Sequence, residues 1–119
     1  MSKLLELQFE FNNNFSKLLD FLRNKNCKFK VGEVLRTKEQ AEIYAKQGKG
    51  IINSQHCDNL AFDVTLFKWN NEKQAWEAVN DSDFYRNAGN YWKTLNSKNR
   101  WGGDWKNPND PYHFEMEEN

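Results

Sequence analysis

Residues 54–67 read Ser54-Gln55-His56-Cys57-Asp58-Asn59-Leu60-Ala61-Phe62-Asp63-Val64-Thr65-Leu66-Phe67, and their second half decides the fold. From Ala61 onward the side chains alternate. Phe62, Val64 and Leu66 fall on one face, Ala61, Asp63, Thr65 and Phe67 on the other. That is the pattern of a strand with one face on a core. Asp63 stands opposite the apolar set, where it must be solvated or given a partner, because burying an unpaired carboxylate is very costly. His56 lies seven residues earlier, in the loop entering the strand, from which it can swing back over Asp63.

Working outward, Leu4, Leu5, Leu7, Phe11, Phe15, Leu18, Leu19 and Leu22 recur at helical spacing. They predict an amphipathic helix over residues 3–25, with a break expected near Asn12-Asn13-Asn14. Phe29, Val31 and Leu35 suggest a strand from about Lys28 to Leu35. Thr37 followed by Gln40 has the capping-box form, so a short second helix is expected from Lys38 to about Lys46, ending near Gly48. Beyond the central strand, Asn70-Asn71 predicts a hairpin turn into a short strand around Trp76. Asp81 or Ser82 caps a third helix running to about Leu95. Trp101 to Pro111, rich in Gly, Asn and Pro, reads as loop and leads into a last strand, Tyr112 to Met116. The sum is an α+β fold, a small antiparallel sheet with flanking helices, expected as one domain over residues 1–119.

Bulk composition narrows the function. Lys plus Arg and Asp plus Glu are each 17, so the formal net charge is zero. Nucleic-acid binding, which leaves a basic excess or stripe, has no support. No basic block suits an anionic membrane, and no apolar run approaches the roughly 20 residues of a bilayer span. No signal peptide is visible at the N-terminus. Five Trp, nine Phe and four Tyr in 119 residues imply a real core; the Trp cluster reads as core rather than as a sugar platform, with Trp101 and Trp105 expected to line an aromatic cleft. Cys27 and Cys57 are too few for a disulfide scaffold and read as reduced thiols, with a single bridge as the alternative.

The chemistry gathers in three places: the loop and strand from Ser54 to Asp63, the segment Asp110-Pro111-Tyr112-His113-Phe114-Glu115, and Arg36 just before the second helix. His56 and His113 are the two histidines of the chain. Two imidazoles and one carboxylate form a common catalytic zinc set that leaves a position open for water. A base is then needed beside that water. Asp110 lies three residues before His113, and Pro111 biases it away from helical backbone, so it enters from a loop. His113 and Glu115 share one face of the last strand.

Taken together, Ser54-x-His56-x4-Ala61-x-Asp63, Trp101-Gly102-Gly103-Asp104-Trp105 and Asp110-x-x-His113-Phe114-Glu115 closely resemble the M15 family of zinc peptidases. That family includes D-alanyl-D-alanine carboxypeptidases and dipeptidases and phage L-alanyl-D-glutamate endopeptidases. The resemblance runs from about Val34 to Glu115 and implies the fold shared with the zinc domain of hedgehog signalling proteins. It also implies that His56, Asp63 and His113 bind Zn2+ and that Asp110 is the general base. Arg36, within Leu35-Arg36-Thr37-Lys38-Glu39-Gln40, would engage substrate and the developing oxyanion. Ser54, Gln40, Asp104, Trp105 and Glu115 are candidates for substrate contacts or for partners of the ligands. One departure is Asn59, where many relatives carry Gly; Asn tolerates φ > 0 better than most residues.

The resemblance therefore implies a zinc-dependent peptidase acting on peptidoglycan stem peptides. The expected form is an L-alanyl-D-glutamate endopeptidase working as a phage or prophage endolysin. Such a protein would be a monomer made in the host cytoplasm and released to the wall by a holin-type partner. The alternatives are a D-alanyl-D-alanine carboxypeptidase or dipeptidase and a non-catalytic zinc-containing wall-binding domain.

Overall fold

The apolar stripes find each other across one sheet face. The computed structural model describes residues 3–34, 43, 46, 47 and 58–118. Helix α1 (Lys3–Asn24) is continuous, without the break expected at its three asparagines. Its buried row Leu7, Phe11, Asn14, Leu18 and Leu22 packs along its whole length, and that packing outweighs the weak helix propensity of Asn. Strand β1 (Lys28–Val31) follows, then β2 (Ala61–Asn70), β3 (Ala75–Ala78), helix α2 (Ser82–Leu95), β4 (Asn99–Trp101) and β5 (His113–Met116). A 3-10 turn, Gly102–Asp104, follows β4. Of the expected helix Lys38–Lys46, the described residues Ile43 and Lys46 are helical, and the Gln47 N–H donates to Ile43 O at 3.1 Å. The rest of it lies outside the described residues, as does Leu35.

The described strands pair antiparallel, in the order β1-β2-β5-β4 with β3 also on β2. The central strand is longer than its alternation suggests. It continues to Asn70 because Trp69 pairs across the hairpin with Trp76, and the turn is Asn71–Gln74, closed by the Lys73 N–H on Asn70 Oδ1 at 3.0 Å. β1 stops short of Leu35. Gly32 N–H donates to Asp63 O at 2.7 Å, and Asp63 N–H donates to Glu33 O at 3.0 Å. Two residues thus bond one, a bulge-type arrangement that ends regular pairing beside Asp63.

The core lies between helices α1 and α2 and the Phe62–Val64–Leu66 face of β2. Phe15 stacks on Phe62 at 4.0 Å, and Phe62 stacks on Phe114 at 5.3 Å, with Phe11 and Trp92 meeting them edge-on. Asp81 caps α2 as expected, its carboxylate accepting from the Asp83 N–H at 3.0 Å. The buried Tyr85 hydroxyl accepts from Leu66 N–H at 2.9 Å and donates to Val79 O at 2.6 Å, tying α2 to the sheet. Burial pushes this phenol up to about 12, partly offset by the Leu66 hydrogen bond. Tyr85→Phe strands both backbone groups, so thermal or denaturant melting should show a loss of about 1–3 kcal/mol. An unchanged midpoint would mean that the hydroxyl contributes nothing. Among the described residues no helix is long and apolar enough to cross a membrane.

Candidate metal centre

Strand register builds the site. Asp63 on β2 and His113 on β5 are direct cross-strand partners, so their side chains leave the sheet side by side on the face away from the core. His113 Nδ1 lies 3.3 Å from Asp63 Oδ1. Alternation along β5 places Glu115 on the same face, and His113 Nε2 sits 2.7 Å from Glu115 Oε1. The two ring nitrogens therefore have separate tasks. Nε2–H donates to Glu115; Nδ1 faces Asp63, donating to that carboxylate while the imidazole is protonated and offering its lone pair to an ion once it is not, with Glu115 fixing the tautomer.

Asp110 arrives from the loop before β5. Its N–H donates to Gly102 O at 3.0 Å, and its own carbonyl accepts from the His113 N–H at 3.2 Å. The approach of the two backbones is so close that a Cβ on Gly102 would stand 2.1 Å from Asp110 O. Asn109 staples the same loop, its amide donating to Gly103 O and Trp105 O at 2.9 Å each. With the loop held this way, ligand atoms of Asp63, Asp110 and His113 all lie within 4.8 Å of one another.

Trp101 corrects an expectation. It is 1 % exposed, not a wall of the cleft. Its indole fills the space that Cβ atoms on Gly89 and Gly103 would occupy, and its Nε1–H donates to Pro111 O at 2.9 Å, fixing the residue after Asp110. Trp105, by contrast, is half-buried with its ring 5.1 Å from that of His113. Asp104 pairs with Lys93 of α2 at 2.6 Å and so stands outside the Asp63–Asp110–His113 group. Asn59 adopts φ 56°, the left-handed backbone expected where relatives carry Gly. His56, Arg36, Ser54 and Gln40 lie outside the described residues. Gly102 and Asn109 are the positioning residues that sequence reasoning missed. The Asn-Asp-Pro turn at 109–111 was the signal for the second of them.

Electrostatics favour a cation here. Burial opposes charge on His113, but hydrogen bonds to Asp63 and Glu115 and their negative charge more than reverse this, raising the imidazole to about 9. In the metal-free protein this raised value stabilises the fold fully below about pH 6.5, and the contribution disappears as pH rises through about 9. The melting-temperature gap between wild type and His113→Gln, measured in chelator, should accordingly narrow from pH 6.5 to 9.5. A gap that stays constant would contradict the His113 environment. The donor set of one imidazole nitrogen and neighbouring carboxylates, held in fixed register, suits a divalent ion of the zinc type.

A family model of the M15 peptidases, described as D-alanyl-D-alanine carboxypeptidase, matches residues 47–116. No curated protein sequence matches the chain. Among solved structures, the crystal structure of the Serratia marcescens L-Ala D-Glu endopeptidase ChiX superposes with a TM-score of 0.60 at 22% identity. The match covers 76% of this chain and 67% of that one, and it establishes the shared α+β fold. The matched segment contains Asp63, Asp110 and His113 and spans more than half of the sequence, so the chain belongs to the M15 family of peptidases.

Proposed function

We propose that the protein is a zinc-dependent peptidoglycan peptidase that hydrolyses the L-Ala–D-Glu bond of stem peptides. The observation that carries this reading is the Asp63–Asp110–His113 cluster, assembled within a segment that matches the M15 peptidases. Asp63 and His113 would hold the ion, with His56 as the third ligand. When bound, zinc polarises the scissile carbonyl and brings the pKa of water towards about 7. Asp110 takes the proton of the attacking water and passes it to the leaving amine. Glu115 holds His113 in the tautomer that presents Nδ1. Arg36 is assigned to the oxyanion or to the substrate carboxylate beside it.

Two features support an endopeptidase. The solved fold it resembles belongs to an L-Ala D-Glu endopeptidase. Between Trp76 and Trp101 the chain is occupied by the end of β3, a short link, α2 and β4, which leaves no insertion for a lid to close one end of a cleft. The physiological role we propose is that of a phage or prophage endolysin, released to the wall by a holin-type partner. A second reading, cleavage of D-Ala–D-Ala, is favoured by the description of the matching family model. Chelation should abolish peptide hydrolysis and added zinc should restore it. Full activity in a protein shown to be metal-free would contradict the proposal.

A further inference from the structure

Six residues beyond Asp63, on the same face of β2, stands Trp69. Its cross-strand partner is Trp76 of β3, with ring centroids 5.3 Å apart and planes at 69°. Both are large apolar side chains left in solvent, 41 % and 50 % exposed. The hairpin beneath them is tied by side chains. Trp69 Nε1–H donates to Asn71 Oδ1 at 2.9 Å, Asn70 Nδ2 to Glu77 Oε1 at 2.9 Å, and Gln74 Nε2 to Asn71 O at 2.7 Å. A cross-strand aromatic pair on its own steadies a hairpin. Two adjacent half-exposed indoles, on a tip fixed by its own hydrogen bonds, also make a preformed contact surface of the kind that marks a binding site.

The register says what this surface is continuous with. Thr65, Phe67 and Trp69 follow Asp63 on one face of β2, while Lys30 lies opposite Thr65 and Lys28 opposite Phe67. Lys28 Nζ sits 6.0 Å from the Trp76 ring centroid. Between the acidic metal site and the hairpin tip, the charges that these strands place on this face are thus the two exposed lysines, while the register partners Lys68 and Glu77 stand on the opposite face, where Glu77 meets Lys73 at 3.2 Å. The face suits a ligand that is anionic near its middle and flat and apolar further out. Six strand residues span ~20 Å. This is much further than one amino acid reaches, so a ligand cut at Asp63 meets the Trp pair with a part remote from the scissile bond. Peptidoglycan has both properties. Its stem peptides carry carboxylates, and its pyranose rings present C–H faces that stack on the electron-rich face of an indole.

We propose that the Trp69–Trp76 pair is a platform for the glycan strand of the substrate, with Lys28 and Lys30 meeting carboxylates of the next stem peptide along that strand, since those of the cleaved stem lie on the D-Glu side of the scissile bond, away from its glycan. This rests on the peptidoglycan reading above and assigns that site a second, sugar-binding region. The test compares wild type, Trp69→Ala, Trp76→Ala and Trp76→Phe on two substrates, intact sacculi and a soluble sugar-free stem peptide. Binding to peptide-free glycan strands is followed by co-sedimentation and, in the unmodified protein, by Trp fluorescence. The ratio of sacculus to soluble-peptide rates should fall on the order of tenfold in the Ala variants, the usual loss when a Trp anchor is removed. Trp76→Phe should keep part of it, and glycan strands should perturb wild-type fluorescence. An unchanged rate ratio, or losses that are equal on both substrates and follow melting temperature, would reduce the pair to a hairpin staple. Glycan binding that survives both Ala substitutions would also overturn the platform. A wild-type protein that cleaves neither substrate would instead sink the peptidase reading itself.

Discussion

Asp110→Asn should retain zinc while turnover falls by roughly 10²–10⁴-fold, the usual contribution of a positioned general base. The substitution keeps the side chain's shape and the backbone bonds of Asp110 to Gly102 and His113, so the loop should stay in place. What changes is the oxygen that accepts a proton. Because Asp110 lies within 4.8 Å of the ligand atoms of Asp63 and His113, it is near enough to act as base or as ligand. Metal content separates the two. Retained zinc with lost turnover identifies the base, zinc lost along with activity identifies a ligand, and wild-type turnover would leave Asp110 as a turn residue.

Removal of a ligand should have the opposite signature. Asp63→Ala and His113→Ala are expected to lose bound zinc and, with it, hydrolysis, since a catalytic zinc site typically has three protein ligands. Glu115→Ala leaves those ligands in place and removes the group that holds His113 Nε2 at 2.7 Å. Its expected effect is smaller, a weakening of metal binding by roughly 10–100-fold. Metal titration by calorimetry checks the order. Near-full zinc in both ligand variants would contradict the assignment, and a Glu115→Ala affinity equal to wild type would remove Glu115 from the site.

Much of the architecture was legible because burial leaves a period in the sequence. The Phe62–Val64–Leu66 alternation placed Asp63 on the open face, and Asp81 marked the start of α2; both agree with the structure. Strand β4 was not visible. Its three residues are too few to show alternation, and they sit next to a Gly- and Pro-rich stretch that reads as loop. It forms because β5 offers an edge to pair with and because Trp101 is anchored between Gly89 and Gly103. The end of β1 was misread because Gly32 and Glu33 both bond to Asp63, a long-range pairing that no local pattern announces.

The site followed the same division. Asp63, His113 and Glu115 lie on regular strands, where alternation alone predicts a shared face. Trp101 and Asp104 lie where β4 gives way to the 3-10 turn, and there spacing says nothing about direction. One of them is in fact core, and the other pairs with Lys93. Gly102 matters for the space its missing side chain leaves to Asp110, a constraint that appears only when the two backbones are brought together.

Digestion of purified sacculi, with the new N-termini and released amino acids identified by mass spectrometry, decides which bond the protein cuts. Cleavage of the L-Ala–D-Glu bond predicts stem peptides that begin with D-Glu and no free D-Ala. Free D-Ala as the dominant product, with the L-Ala–D-Glu bond intact, would contradict it and make the protein a carboxypeptidase.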